Sequence, residues 1–124
     1  MEAEKGFAYC GLACCVCSDN GSCAGCRRGG CAHTADCALA ACCRRQDLPG
    51  CWACAEFPCG QPMLQKPRVR AFCRFLGQEG EEALLAALRR GEAAGYQYHY
   101  PGLLTGDYDA PEDEASILAL LRRL

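Results

Sequence analysis

Cysteine placement constrains this chain more than any other feature. Thirteen of its fourteen cysteines fall within residues 1–62, and only Cys73 lies beyond them. Fourteen in 124 residues is far more than a packed core uses and is the level that marks a cysteine-scaffolded chain. Residues 10–60 otherwise offer mainly alanine as apolar material, interrupted by glycines at 11, 21, 25, 29, 30, 50 and 60. Such a stretch cannot close a hydrophobic core alone, so cross-links or metal ions must supply the missing stability.

An even cysteine count permits disulfides, but the context argues for metal. Met1-Glu-Ala-Glu-Lys5 is charged and leads into no apolar core or small-residue cleavage site, so the expectation is no signal peptide and a cytoplasmic, reducing setting. Cys14-Cys-Val-Cys17, Cys23-Ala-Gly-Cys26 and Cys51-Trp-Ala-Cys54 are C-x-x-C pairs. A turn of that length lets two thiolates bite one tetrahedral ion while backbone N–H groups point at the sulfurs.

Size and charge narrow the function classes. A chain of 124 residues is too short for a (β/α)-barrel or a large doubly wound enzyme, and no apolar run approaches the roughly 18 residues of a spanning helix. Thirteen basic against fifteen acidic residues, evenly divided between the halves, argues against nucleic acid as a partner class. Lys66, Arg68, Arg70 and Arg74, with Phe72 and Phe75 between them, form a local basic run read as the solvated face of a helix.

The fold expected is a metal-stabilised, cysteine-rich region over 1–62 with an α-helical region over 63–124 packed on it, mainly α with little strand, as one compact domain. Residues 1–9 read as a short lead-in. Ala38 to Arg45 predicts a short helix ended near Pro49-Gly50. Pro67 opens a helix to about Leu76 with Val69, Phe72, Cys73 and Leu76 on one face, and Glu81 to about Ala94 forms the next, around Leu84, Leu85 and Leu88. Residues 96–110 suggest a short aromatic strand and a loop. A final helix is expected to be capped by Asp109 or Ala110 with Pro111 in its first turn, burying Ile117, Leu118, Leu120, Leu121 and Leu124.

The ordered cysteines read Cys10-x3-Cys14-x2-Cys17, Cys23-x2-Cys26, Cys31, Cys37-x4-Cys42, Cys51-x2-Cys54-x4-Cys59, with Cys15 and Cys43 as adjacent extras. The blocks Cys10-Gly-Leu-Ala-Cys14-Cys-Val-Cys17, Cys23-Ala-Gly-Cys26, Cys37-Ala-Leu-Ala-Ala-Cys42 and Cys51-Trp-Ala-Cys54-Ala-Glu-Phe-Pro-Cys59 resemble the pattern of domain-of-unknown-function family 3795. The resemblance covers about half the chain, and His99 to Asp109 is similar to the tail of some members. It implies a small, cysteine-rich, metal-binding protein of bacteria and archaea with no settled activity. Residues 18–22 stand where many members carry a long insertion.

Structural zinc takes four protein ligands. Spacing favours Cys14, Cys17, Cys23 and Cys26 as one quartet, and Cys37, Cys42, Cys51 and Cys54 as a second, with Cys10, Cys31 and Cys59 competing for places. Eleven cysteines with His33 would fill three zinc sites. Two zinc sites built from four thiolates each add negative charge that Arg27, Arg28, Arg44 and Arg45 are placed in sequence to offset. A [4Fe–4S] cluster is the rival cofactor, since Cys10-x3-Cys14-x2-Cys17 has the radical-SAM spacing, although the barrel such enzymes need is missing. A copper(I) thiolate store is a third possibility.

The first reading is therefore a zinc-binding interaction or regulatory module with an unknown protein partner, rather than an enzyme. The alternative is an iron–sulfur or thiol-based redox or sulfur carrier. Ligation is also favoured over a dithiol redox role for Cys51-Trp-Ala-Cys54, which lacks a thioredoxin-like context. Of the extras Cys15, Cys43 and Cys73, core positions are expected, with a reactive thiol as the other reading. Outside the cysteines, His99 with Asp107 and Tyr108 marks a candidate polar pocket, weighed against simple aromatic packing.

Overall fold

The computed structural model describes residues 1–16, 25–28, 37–101, 103 and 105–124. Its helices are α1 (Ala38–Arg45), α2 (Pro67–Glu79), α3 (Glu81–Ala93) and α4 (Glu114–Arg123), joined by short 3-10 turns. The chain is mainly helical, with no strand among the described residues. Nor is any described helix long and apolar enough to cross a membrane.

Helix α2 is the shared wall of the structure. Its neighbours include α3, α4 and the turns at 51–53 and 62–65. The sequence pattern suggested one apolar face; the helix instead buries two. Ala71, Phe72, Phe75 and Leu76 join Leu84, Leu88, Tyr98, Tyr108, Ile117 and Leu121 in a helical core. Val69 and Cys73 turn to the other side and join Ala8, Cys10, Leu39, Cys43, Cys51 and Leu64. Residues four apart share a helix face, so Val69 places Cys73 opposite the cysteine-rich half.

Pro67 occupies the first turn of α2 as expected, but the helix runs on to Glu79. Gly77 does not stop it. A Cβ there would lie 3.2 Å from the Trp52 carbonyl oxygen, so this glycine lets the 51–53 turn approach closely. The stop is Gly80, at φ +90°, whose N–H bonds the Leu76 carbonyl.

Three further expectations are corrected. Residues 1–9 are not a lead-in: Phe7 and Ala8 are buried, one in each core. Helix α4 starts at Glu114, because the Asp113 carboxylate accepts from Ser116 N–H at 2.8 Å and Glu112 adopts φ +71°, which breaks any helix begun at Pro111. The short strand anticipated within 96–110 is not formed by its described residues, which are tied by Asp107 N–H to the Gln97 carbonyl and Tyr100 N–H to the Thr105 carbonyl, each 2.8 Å.

Gly91 gives a test of the helical core. In α3 an alanine normally gains about 1 kcal/mol over glycine. Here a Cβ would collide with the Tyr108 hydroxyl. Gly91→Ala is expected to destabilise by about 1–3 kcal/mol, and adding Tyr108→Phe to recover most of it, read by thermal melting. A single variant as stable as the parent contradicts this packing.

Candidate metal centre

Residues 6–15 fold tightly on themselves. Ala8 N–H bonds the Leu12 carbonyl at 2.8 Å, Gly11 N–H the Ala8 carbonyl at 2.9 Å, and Cys15 N–H the Gly6 carbonyl at 3.0 Å. The turn carries Cys10 inward, 5% exposed, and leaves Cys14 half-buried beside it. Tyr98 Oη accepts from Ala13 N–H at 2.9 Å, tying this turn to the helical half.

Eight cysteines share one cluster. Cys10, Cys43, Cys51 and Cys73 are buried in it, and Cys14, Cys26, Cys37 and Cys59 pack against it. Burial pushes the Cys10 thiol up to about 12; a hydrogen bond with the Leu12 backbone pulls it down, and charge on Cys26, Cys37 and Cys14 raises it further. Cys37 is the N-cap of α1.

Cys43 and Cys51 face each other with their sulfurs 3.8 Å apart. Burial raises both thiols and also Cys73, on which Cys10 and Cys43 act in the same sense. The exposed rim is different. Cys42 Sγ accepts from Gln46 Nε2 at 3.1 Å, and Cys54 Sγ from Glu56 N–H at 3.4 Å. That last bond is the N–H-to-sulfur contact expected of a ligand-bearing C-x-x-C turn.

Of the eleven cysteines singled out by spacing, Cys10, Cys14, Cys26, Cys37, Cys42, Cys51, Cys54 and Cys59 are described; Cys17, Cys23, Cys31 and also His33 lie outside the described residues. The quartet 14, 17, 23, 26 therefore has only two described members. In the second set, the sulfur against Cys51 belongs to Cys43, one of the supposed extras. Among the described residues no group of three or more His, Cys, Asp or Glu side chains stands placed to hold one ion. The donors present are thiols, which suits zinc, a d10 ion bound by cysteine sulfur at tetrahedral sites.

The surplus thiols are core residues. Cys15 lies in the helical core at 2% exposure, its thiol pushed up to about 12 by burial first and then by Cys14. Cys43 and Cys73 are buried on the cysteine side. Helix period was the signal for Cys43, since Leu39, Ala40 and Cys43 form the buried face of α1 and Cys42 falls beside it.

Several basic residues are engaged within the chain. Arg27 pairs with Glu81 through both nitrogens, at 2.8 and 3.3 Å, and lies over the Trp52 ring. Arg68 bonds the Tyr98 carbonyl and Asp109, Arg70 the Leu64 carbonyl, and Arg74 pairs with Glu114. Among the described residues, no cysteine lines the cleft of about 340 Å³ between Lys5, Tyr9, Arg27, Leu48, Pro49 and Glu81.

His99, Asp107 and Tyr108 have separate surroundings. The His99 ring lies 4.6 Å from that of Tyr98, and Tyr108 is buried edge-on against Phe72. Asp107 accepts from Tyr100 Oη at 2.5 Å and from Gln97 N–H at 2.7 Å. These two bonds, Tyr100 first, hold its carboxyl below the ordinary range. A lowered carboxyl contributes stability above its unfolded pKa and loses it as pH falls through the folded value. Tyr100→Phe is expected to raise the Asp107 pKa in a carbon-detected NMR titration; an unchanged value contradicts the bond.

Residues 18–63 match the model of a family described as Protein of unknown function (DUF3795). The match shows the family resemblance over that stretch, which takes in the cysteines from Cys23 to Cys59 and begins just after the Cys10–Cys17 block. No curated protein and no solved structure matches the chain.

Proposed function

We propose that the cysteine-rich half is a thiolate metal module loaded with zinc, and that the chain acts as a small interaction or regulatory module for a protein partner. One observation carries this reading: eight cysteine side chains from separate turns and helices gather in a single cluster. Packing alone does not call for so many thiols in one place, because alanine and valine fill such positions without a reactive group. Cys14, Cys26 and Cys37, which pack against the cluster that buries Cys10, are the described candidates for one ion, with Cys17, Cys23 and Cys31 as the further donors supplied by the sequence.

Zinc here would hold the turns together, as it does in small domains that fold only with metal. The test compares metal content and thermal melting of the full chain with a Cys14→Ser/Cys26→Ser variant, each with and without a chelator. The expected result is a parent that loses its zinc and melts at a markedly lower temperature with chelator, and a variant that already binds fewer ions. A parent whose melting is indifferent to chelator, and a variant of equal metal content, overturn the reading.

A further inference from the structure

We infer that Cys43 and Cys51 are a redox-responsive dithiol, closed to a disulfide by a hydroperoxide and reopened by a thiol reductant. This goes beyond the proposed module and stands apart from its zinc reading, which takes its described donors from Cys14, Cys26 and Cys37.

The pairing is built by the backbone. Helix α1 ends in a reversal in which Leu48 N–H bonds the Cys43 carbonyl at 2.8 Å and Asp47 N–H the Arg44 carbonyl at 3.2 Å. That two-bond pattern is the Schellman stop, and Asp47 supplies its left-handed residue at φ +56°. The chain therefore turns back beside the helix it has just left. Cys51 is held in turn by its own N–H, which bonds the Tyr9 carbonyl at 2.7 Å. The two buried sulfurs come to rest 3.8 Å apart.

A disulfide holds its sulfurs about 2.05 Å apart. Closing the gap asks about 0.9 Å of each sulfur, less than a hop between staggered χ1 wells. The C-x-x-C spacing points instead to Cys54 as the dithiol partner of Cys51. In the structure Cys54 Sγ accepts from Glu56 N–H at the rim, and the sulfur that faces Cys51 is that of Cys43.

Burial selects the oxidant. Exposures of 2% for Cys43 and 6% for Cys51 shut out a bulky disulfide reagent and favour a peroxide little larger than water. The Cys51 thiolate attacks one peroxide oxygen; the O–O bond breaks, the other oxygen leaves as hydroxide, and a sulfenic acid remains on Cys51. Cys43 then displaces that hydroxyl, which departs with the Cys43 proton as water while the S–S bond forms. Two thiols lose two electrons, and the peroxide is reduced to two waters. Burial raises the Cys51 thiol, so closure is slow beside oxidation of an exposed cysteine. The bond staples the last turn of α1 to the 51–53 turn.

The test treats the full chain with hydrogen peroxide in the presence of added zinc, blocks the remaining thiols under denaturing conditions, and digests with trypsin. Cleavage after Arg44 and Arg45 separates Cys43 from Cys51, so a bond between them joins two peptides, and fragmentation locates it. Cys43 joined to Cys51, and released by dithiothreitol, is expected. Recovery of both as blocked thiols, or a Cys51–Cys54 bond in their place, overturns the inference. A bond that forms only after a chelator has stripped the metal also overturns it, by making the pair metal ligands. In a second measurement, reduction of the isolated cross-linked chain is expected to lower its melting temperature by about 5 °C or more; an unchanged value contradicts the staple.

Discussion

Arg68→Met is expected to lower the unfolding free energy by about 3 kcal/mol. Arg68 projects from the first turn of α2 and is only 6% exposed. Its guanidinium donates to the Tyr98 carbonyl at 2.8 Å, pairs with Asp109 at 3.2 Å, and lies 4.2 Å from the Tyr98 ring centre. Methionine matches the stem but leaves the Tyr98 carbonyl without its side-chain donor and costs Asp109, a half-buried carboxylate that keeps the Gly106 N–H, its ion pair, and that loss dominates the cost. The effect reaches further than the loop, because the Tyr98 hydroxyl holds Ala13, next to Cys14. Arg68→Lys is expected to recover little, since a point charge cannot stack and fork at once. Denaturant unfolding measures both; a methionine variant within about 1 kcal/mol of the parent contradicts the clamp.

The second large effect belongs to Gly11. It adopts φ +95°, and a Cβ there would stand 2.9 Å from the Cys73 backbone nitrogen and 3.0 Å from its Cα. Backbone strain of about 1–3 kcal/mol and overpacking of about 1–3 kcal/mol act together in Gly11→Ala. Helix α2 cannot give way, because its backbone is hydrogen-bonded in place, so the turn must lift. Cys10 rides on that turn, which predicts a drop in metal content as well as in stability. A variant that keeps parental stability would show that the turn does not rest on α2. One that loses stability but keeps its full metal complement would separate Cys10 from the ions.

Local patterns made the helices legible. Pro67 and the apolar spacing after it marked α2, and Leu84 and Leu88 marked α3. The start of α4 was misread because two acidic residues compete as caps. Asp109 is occupied by Gly106 N–H and Arg68, while Asp113 bonds Ser116. Spacing also identified a set of cysteines worth watching, since ligand turns are local. It could not pair them. Cys43 meets Cys51 across a helix end, and Cys73 joins the cluster that buries Cys10 from a helix in the other half, so neither relation leaves a mark in sequence separation. The helix period was available and pointed to both, through Leu39 with Cys43 and through Val69 with Cys73. The tyrosine-rich stretch gave the opposite difficulty: its polar residues suggested a pocket, yet Asp107 serves the loop and Tyr108 the core.

The most direct measurement is the content of zinc, iron, copper and acid-labile sulfide per chain, taken with a visible spectrum on protein purified without oxygen. About two or three zinc ions per chain, with no sulfide and a colourless solution, is the result predicted for a thiolate zinc module. A folded, metal-free protein whose thiols all react with a thiol reagent would contradict it, as would iron with matching sulfide.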